Sequence, residues 1–327
     1  MRSRHPEILL VVVVVLAMHG CGNSETAEEP LHRESFALLD LTLDGAPDPE
    51  TVGLLTAANL GQFREAGIGL AAVPPLTPGR PIKYVVEGVA DIVVSYEPQV
   101  VLSHEKGLPV VAFGSLVPHS TMAMIWLPES GIDDIGDLKG KVIAIPGVPF
   151  QRDFLKAALE RNGVAMDEVK IVVGGSELAT VLAEGKADAI FGGSRNVEGA
   201  ALEARGLNPV FTEAAELGIP EYDELVFVAR QDRLARNPGL FRRFVEVATA
   251  GGLAAREDPK AGYEAIASHS LGETAPQGTR AGLKATFPLL SESGQIDTER
   301  TTDLIAWMHQ EGMIKREPKA TEVLFER

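Results

Sequence analysis

The sequence predicts an α/β protein of two similar lobes, each built on an open and mostly parallel sheet. Three observations carry that expectation. Short runs rich in Val, Ile and Phe alternate with helix-like segments through most of the chain, the pattern of strands joined by helical crossovers. The phrase EGVADIVVSY at 87–96 returns as EGKADAIFGG at 184–193, about a domain length later. With 327 residues, 45% hydrophobic and 23% charged, the composition is that of a globular chain with room for two domains.

Each copy of the phrase has the same physical content. A helix-like run, PIKYVVEG or ELATVLAEG, stops at Gly88 or Gly185, where glycine adopts the left-handed turn at little cost. Ala-Asp and a short apolar run follow, which reads as a buried strand. Polar, helix-starting residues come next, SYEPQVV in one copy and GSRNVEG in the other.

The first stretch belongs to no lobe. Residues 1–20 have a basic start (Arg2, Arg4) and an apolar run from Ile8 to Met18, the layout of a secretory signal. That run falls short of the roughly 20 residues a membrane span needs. Residues 21–34 are polar, acidic and aperiodic, and read as a flexible tether. Cys21 is the only cysteine, so the fold rests on its cores without an internal disulfide. The formal charge of −16 argues against nucleic acid as a partner and for a well-solvated surface.

Lobe I opens with the strand SFALLDLTL. Asp48 then offers an N-cap, with Pro49 at the first helical position and Glu50 beside it in the first turn, where the helix dipole favours acid. Val52, Leu55 and Ala58 recur on one helical face. GIGLAAV is the second strand. Its Gly67-Ile68-Gly69 is no dinucleotide fingerprint, because the glycines precede a strand instead of joining strand to helix. The first copy of the phrase and the strand LPVVAFGSLV complete this part.

Near residue 120 the pattern restarts with TMAMIWL. A turn-rich link, the strand VIAIPG, the helix PFQRDFLKAALERNG and the strand VKIVVG follow. The second copy, a helix at NVEGAALEARG and the strand NPVF come next. After the strand in IPEYDELVFVAR the chain is helical to its end. Those tail helices need a sheet to cover. The expected division is therefore lobe I from 35–118 and 224–327, with lobe II, 119–223, inserted between, and crossings near Val117–Thr121 and Ile219–Glu224.

Ligands of open α/β sheets bind beyond the carboxyl ends of the strands, where helices begin with unpaired N–H groups. Facing lobes would bring SYEPQ (95–99) and GGSRNVE (192–198) to opposite walls of one cleft. Tyr96 offers a ring face and a hydroxyl, and Gln99 an amide. Ser194, Arg195, Asn196 and Glu198 line the second wall; Asn196 and Glu198 read equally as an N-cap and a first-turn acid. The Arg195 guanidinium could stack on a ring or seek a carboxylate or phosphate. Phe150 and Gln151 begin the helix after IPGVP. Tyr222 and Glu224 lie at the second crossing, Ser115 near the first, and Asp44 at the end of the first strand. Aromatic rings together with carboxylates suit an amino-substituted heteroaromatic ligand, whose N–H donors want anionic acceptors.

The segments LLDLTLDG, ETVGLLTAANLGQFREAGI, GVADIVVSYEPQVVLSHEKGLPVVAFGSLV, IDDIGDLKGKVIAIPGVPFQRDFLKAAL, GKADAIFGGSRNVE and GIPEYDELVFVAR resemble the substrate-binding lipoproteins of ABC importers. SYEPQVV and PEYDELV resemble most the branch that binds thiamine-pyrimidine precursors, related to the sulfonate binders. The resemblance covers roughly residues 36–270. It implies the type II periplasmic-binding-protein fold, with two α/β lobes, two hinge strands and a ligand cleft between the lobes. It also implies a small-molecule ligand captured by lobe closure, permease and ATPase subunits as partners, a monomeric and extracytoplasmic protein, and no cofactor.

The residues around Cys21 resemble a bacterial lipobox, which implies lipidation of Cys21 and anchoring to the membrane. The chain departs from the family where Asp40 is followed by Leu41 and where Arg195-Asn196 replaces a frequent Trp-Asn pair. A riboflavin-like ring, a sulfonate or an aromatic acid therefore stay open as ligands. An enzyme of this fold makes the thiamine pyrimidine with a cysteine-rich iron motif. This chain has no cysteine cluster, and its seven histidines show no metal-ligand spacing, so no catalysis and no metal are expected. A sensor lipoprotein without a transporter is a further alternative.

Overall fold

The computed structural model describes residues 36–43, 45–73, 81–270 and 278–325. The expected signal, the tether, Cys21 and the candidate Asp44 lie outside the described residues. Ten strands are described: β1 (Ala37–Thr42), β2 (Ile68–Ala72), β3 (Ile92–Ser95), β4 (Val110–Val117), β5 (Met122–Trp126), β6 (Val142–Ile145), β7 (Lys170–Val173), β8 (Ala189–Ser194), β9 (Val210–Glu213) and β10 (Leu225–Arg230). They form two five-stranded sheets, in the orders β2-β1-β3-β10-β4 and β7-β6-β8-β5-β9.

The two sheets share one plan. In each, the earliest-paired strands run parallel, β1 with β2 and β3, and β6 with β7 and β8. The fourth strand in each order is antiparallel to both neighbours: β10 lies between β3 and β4, and β5 between β8 and β9. That strand is the one the chain delivers from the other sheet. The chain leaves the first sheet after Val117, enters the second at Met122, and returns between Glu213 and Leu225.

The repeated phrase has a mechanical explanation. Gly88 and Gly185 both take left-handed φ, at 73° and 65°. Each ends its helix with the same pair of bonds: Gly88 N donates to Val85 O and Val89 N to Tyr84 O, as Gly185 N does to Leu182 O and Lys186 N to Val181 O. The aspartate just before the new strand of each copy then bonds that strand to its parallel neighbour. Asp91 accepts from Asp40 N at 3.0 Å and donates its own N–H to Asp40 O at 2.7 Å. Asp188 accepts from Val142 N at 2.7 Å and donates to Val142 O at 2.8 Å. The phrase recurs because each lobe uses it to set a new strand parallel to an earlier one, β3 beside β1 and β8 beside β6.

Helices cover both faces of each sheet. On the first sheet, Val52–Asn59 packs against the long helix Pro238–Glu257 so closely that a β-carbon at Gly251 would press into the Gly53 carbonyl. Beneath them lies an aromatic cluster, with Phe113 and Phe241 centroids 5.2 Å apart and Phe227 and Phe244 5.1 Å apart. The opposite face carries Pro81–Glu87, Glu97–Glu105 and Thr298–Gln310. This second core continues into the other sheet's helix Pro149–Arg161, where Phe154 meets Trp307 edge-on at 4.8 Å. Local detail departs from the sequence expectation in two places. NVEGAALEARG begins with a π-helical turn, Arg195–Gly199, before the α-helix Ala200–Glu203. The helix at GTRAGLKATFPLLSES ends at Thr286, because Pro288 cannot continue it.

Candidate functional site

The carboxyl ends of the two sheets face each other and touch. From the first sheet come the residues after β3 and the capped turn before Val52; from the second come the residues after β6 and β8. Tyr96, the residue before Glu97–Glu105, lies with its ring 5.4 Å from that of Phe150, which opens Pro149–Arg161. Close to this pair in the chain, three buried polar atoms find no partner: Ser95 Oγ, Gln99 Oε1 and Gln151 Oε1. Buried polar groups are nearly always hydrogen-bonded, so orphans gathered on the facing ends of two lobes point to a function. Two glycines make the space. A β-carbon at Gly192 would lie 2.8 Å from Gln151 Nε2, and one at Gly193 would lie 3.0 Å from Glu198 Cγ.

Four carboxyl groups converge at the other part of the seam. Asp48 caps the 3₁₀ turn Pro49–Thr51, accepting from Glu50 N at 2.9 Å and Thr51 N at 3.1 Å, as its sequence context predicts. That turn holds Glu50 against the opposite lobe. Glu50 Oε1 accepts from Thr121 Oγ1 at 2.8 Å and from Asn196 Nδ2 at 3.0 Å. Glu224 accepts from Thr121 N at 2.9 Å and Ser120 Oγ at 3.4 Å. Glu198 folds back to accept from Ser194 N at 2.8 Å.

No lysine or arginine among the described residues pairs with these four groups, and their ionisation responds. Burial, then the charge of Glu50, pushes Asp48 up to about 8. Burial raises Glu50 against the pull of its bonds from Asn196 and Thr121. Burial raises Glu198 to about 7. Burial, then Glu50, raises Glu224 to about 8. Tyr222, fully buried beside them, is pushed well above its ordinary value by burial and then by Glu224. Glu50 and Glu224 are buried, and Asp48 and Glu198 half-buried; carboxylates massed there without a cation are costly, so the group holds protons near neutral pH or takes up a donor-rich, positively charged group.

The structure thus brings together Tyr96 with Phe150, and Asn196, Glu198, Tyr222 and Glu224 with one another, while Gln99 and Gln151 supply orphaned amide oxygens. Two candidates are engaged elsewhere. Arg195 is exposed, paired with Glu213 at 2.8 Å and stacked 3.9 Å over Phe211. Ser115 donates to Asp223 in a separate buried group at the crossings, where Asp223 N also donates to Glu97 Oε2 at 2.7 Å. In that group burial, then the Asp223 charge, raises Glu97 to about 8. Sequence reasoning had Asp48 as a cap and Glu50 as a first-turn acid, and missed both as site residues, along with Thr121. The Asp-Pro-Glu-Thr run was the available signal, since it places two acids on one turn just past the first strand.

The match to known proteins agrees with this geometry. The family described as NMT1/THI5 like matches residues 48–262. A formylaminopyrimidine-binding protein of Halalkalibacterium halodurans is 28% identical over 245 residues, covering 75% of this chain and 73% of that protein. A protein of Haemophilus influenzae named for thiamine biosynthesis is 28% identical over 286 residues, 86% of this chain and 88% of that protein. More distant is a 4-amino-5-hydroxymethyl-2-methylpyrimidine phosphate synthase of Saccharomyces cerevisiae, 24% identical over 214 residues, 62% of this chain and 63% of that protein. Among solved structures, the alkanesulfonate-binding protein SsuA from Xanthomonas axonopodis pv. citri, bound to MOPS, superposes with a TM-score of 0.69 at 13% identity, over 90% of this chain and 99% of that one. The two-lobed α/β architecture is therefore that of the periplasmic binding proteins, and the chain belongs to the NMT1/THI5-like family.

Proposed function

We propose that this chain is an extracytoplasmic solute-binding protein of an ABC importer, capturing an aminopyrimidine of the thiamine-precursor type between its lobes. One observation carries the reading. The seam between the lobes joins an aromatic pair, Tyr96 and Phe150, to a group of carboxyls that no cation among the described residues neutralises. A flat ring bearing amino groups fits both parts: its face lies on the tyrosine, and its N–H edge donates to Glu198, Glu50 or Glu224. The relative that binds formylaminopyrimidine supports the same ligand class. A sulfonate, a fixed anion with no N–H donors, would leave the four carboxyls without a neutralising partner. The one arginine among the sequence candidates, Arg195, is occupied by Glu213. The synthase relatives are less similar than the binding protein, which favours capture over catalysis.

In this reading the leader at 1–20 directs export, a lipid on Cys21 holds the protein at the membrane, and the closed form presents the ligand to permease and ATPase subunits. Residues 35–118 with 224–327 form one jaw and 119–223 the other, and the two crossings act as the hinge. The test is calorimetry with formylaminopyrimidine, riboflavin and MOPS. Binding of formylaminopyrimidine alone, at one site, supports the reading. Tight binding of MOPS with no uptake of the pyrimidine refutes it.

A further inference from the structure

The lobes touch through a contact that a ligand-binding cleft does not need. Asn196, on the second lobe, is almost fully buried, and its Nδ2 bonds twice to the first lobe. It donates to Glu50 Oε1 at 3.0 Å and to Thr286 Oγ1 at 2.9 Å. A primary amide nitrogen has two hydrogens, so both are spent across the seam and none remains for a ligand. Thr286 is the last residue of the helix Thr279–Thr286, which belongs to the first lobe's side: Leu283 is buried in that lobe's core with Val52 and Ile266.

The same helix meets the second lobe backbone to backbone. A β-carbon at Gly282 would lie 2.5 Å from the Asn196 carbonyl oxygen and 2.9 Å from Pro49 Cγ. One at Gly278 would lie 2.7 Å from Ala201 Cα and 2.8 Å from the Ala200 carbonyl oxygen. Any side chain at these two positions would hold the lobes apart. The approach is therefore set by the glycines and fastened by the amide. This is the arrangement of a latch, and it shares the Glu50 Oε1 acceptor with the hinge residue Thr121.

We infer that Asn196, Thr286 and the glycine face of helix Thr279–Thr286 form an interlobe latch that holds the closed form, making the Asn196 amide nitrogen a positioning group and not a donor to the ligand. The inference rests on the two-jaw reading above. It adds that part of the closure energy comes from protein-to-protein contact outside the ligand. Such a latch slows ligand escape, because opening must break both amide bonds before the jaws separate. It also explains why Glu50, shared between Thr121 at the hinge and Asn196 at the latch, sits at the centre of the acidic group.

The test uses the purified full-length chain with Thr286→Val, Thr286→Ser and Gly282→Ala. Three quantities are measured: radius of gyration by small-angle X-ray scattering with and without formylaminopyrimidine, the dissociation rate of that probe, and the melting temperature. The valine keeps the shape and removes the acceptor; the serine restores it. The latch predicts a larger radius for Thr286→Val and Gly282→Ala, probe dissociation roughly fivefold faster for Thr286→Val, and wild-type values for Thr286→Ser. A merely structural role would lower the melting temperature without changing the radius. Wild-type radius and dissociation rate in Thr286→Val overturn the latch, and that variant decides alone if Gly282→Ala does not fold. If the wild-type chain takes up no formylaminopyrimidine, the proposed function falls. The radii of the proteins alone then decide the latch: a compact wild type with expanded Thr286→Val supports it, and equal radii overturn it.

Discussion

Replacing Glu224 by Gln should stabilise the protein, and by more as the pH rises. Glu224 is almost fully buried and accepts from Thr121 N and Ser120 Oγ, bonds that a glutamine oxygen can also accept. Its ionisation is raised from an ordinary 4.5 to about 8. The folded carboxyl therefore keeps a proton that the unfolded chain has already released. Under linkage, its contribution is fully favourable below pH 4.5 and falls as the pH climbs through the folded value. The rise from 4.5 to about 8, at about 1.4 kcal/mol per pH unit, bounds the loss at roughly 5 kcal/mol. Burial is the largest cause of the rise, and the charge of Glu50 the next. Sharing the effect between the two acids leaves about 2 kcal/mol for Glu224 alone, reached near pH 8.5, against less than about 1 kcal/mol at pH 5. For a chain of this size about 1 kcal/mol moves the melting temperature by roughly 2 °C. Calorimetric melts of wild type and Glu224→Gln at pH 5 and pH 8.5 should show the variant's advantage growing by about 2 °C or more. An advantage that is constant or shrinks with rising pH would refute the claim that Glu224 is buried without a cation.

The remaining predictions concern binding and the repeated phrase. Glu198→Gln should weaken formylaminopyrimidine binding by roughly tenfold or more in a calorimetric titration, the loss of a charge-assisted bond, while a calorimetric melt above neutral pH should show no loss of stability, because Glu198 is itself raised to about 7. Tyr96→Ala should weaken the same binding by roughly tenfold, because the ring that faces Phe150 is removed; an unchanged affinity would take Tyr96 out of the site. Asp91→Ala and Asp188→Ala should each cost about 1–2 kcal/mol in chemical denaturation, since each leaves the N–H of Asp40 or Val142 without its acceptor. Both variants should lose stability through the same strand-joining bond, while Asp91→Ala also gives up the ion pair with Arg233 at 2.9 Å.

That equivalence explains what was legible in the sequence. The helix stop, the Ala-Asp pair and the strand that follows are local features, set by glycine conformation and apolar runs. They appear in the chain as EGVAD and EGKAD and in the fold as two matched strand starts. The cap at Asp48 was legible for the same reason, since its acceptor bonds reach only two and three residues ahead. The acidic group was not. Glu50 and Asn196 are 146 residues apart, and their meeting depends on how one lobe faces the other. Glu50 also has an adequate local reason to exist, as an acid in a first helical turn, which hides its second role. Arg195 misled in the opposite direction. It stands beside Asn196 in the chain, but the π-helical turn sends its side chain outward to Glu213 and Phe211. Ser115 lies near the crossing as expected, yet its hydroxyl is bound to Asp223.

A crystal structure of the protein grown with formylaminopyrimidine tests the central claim most directly. The account predicts one ring in the seam between Tyr96 and the second lobe, with its amino edge on the carboxyl group of Glu198, Glu50 or Glu224. A ring bound on an outer surface, with the seam between the lobes closed by protein side chains alone, would contradict it.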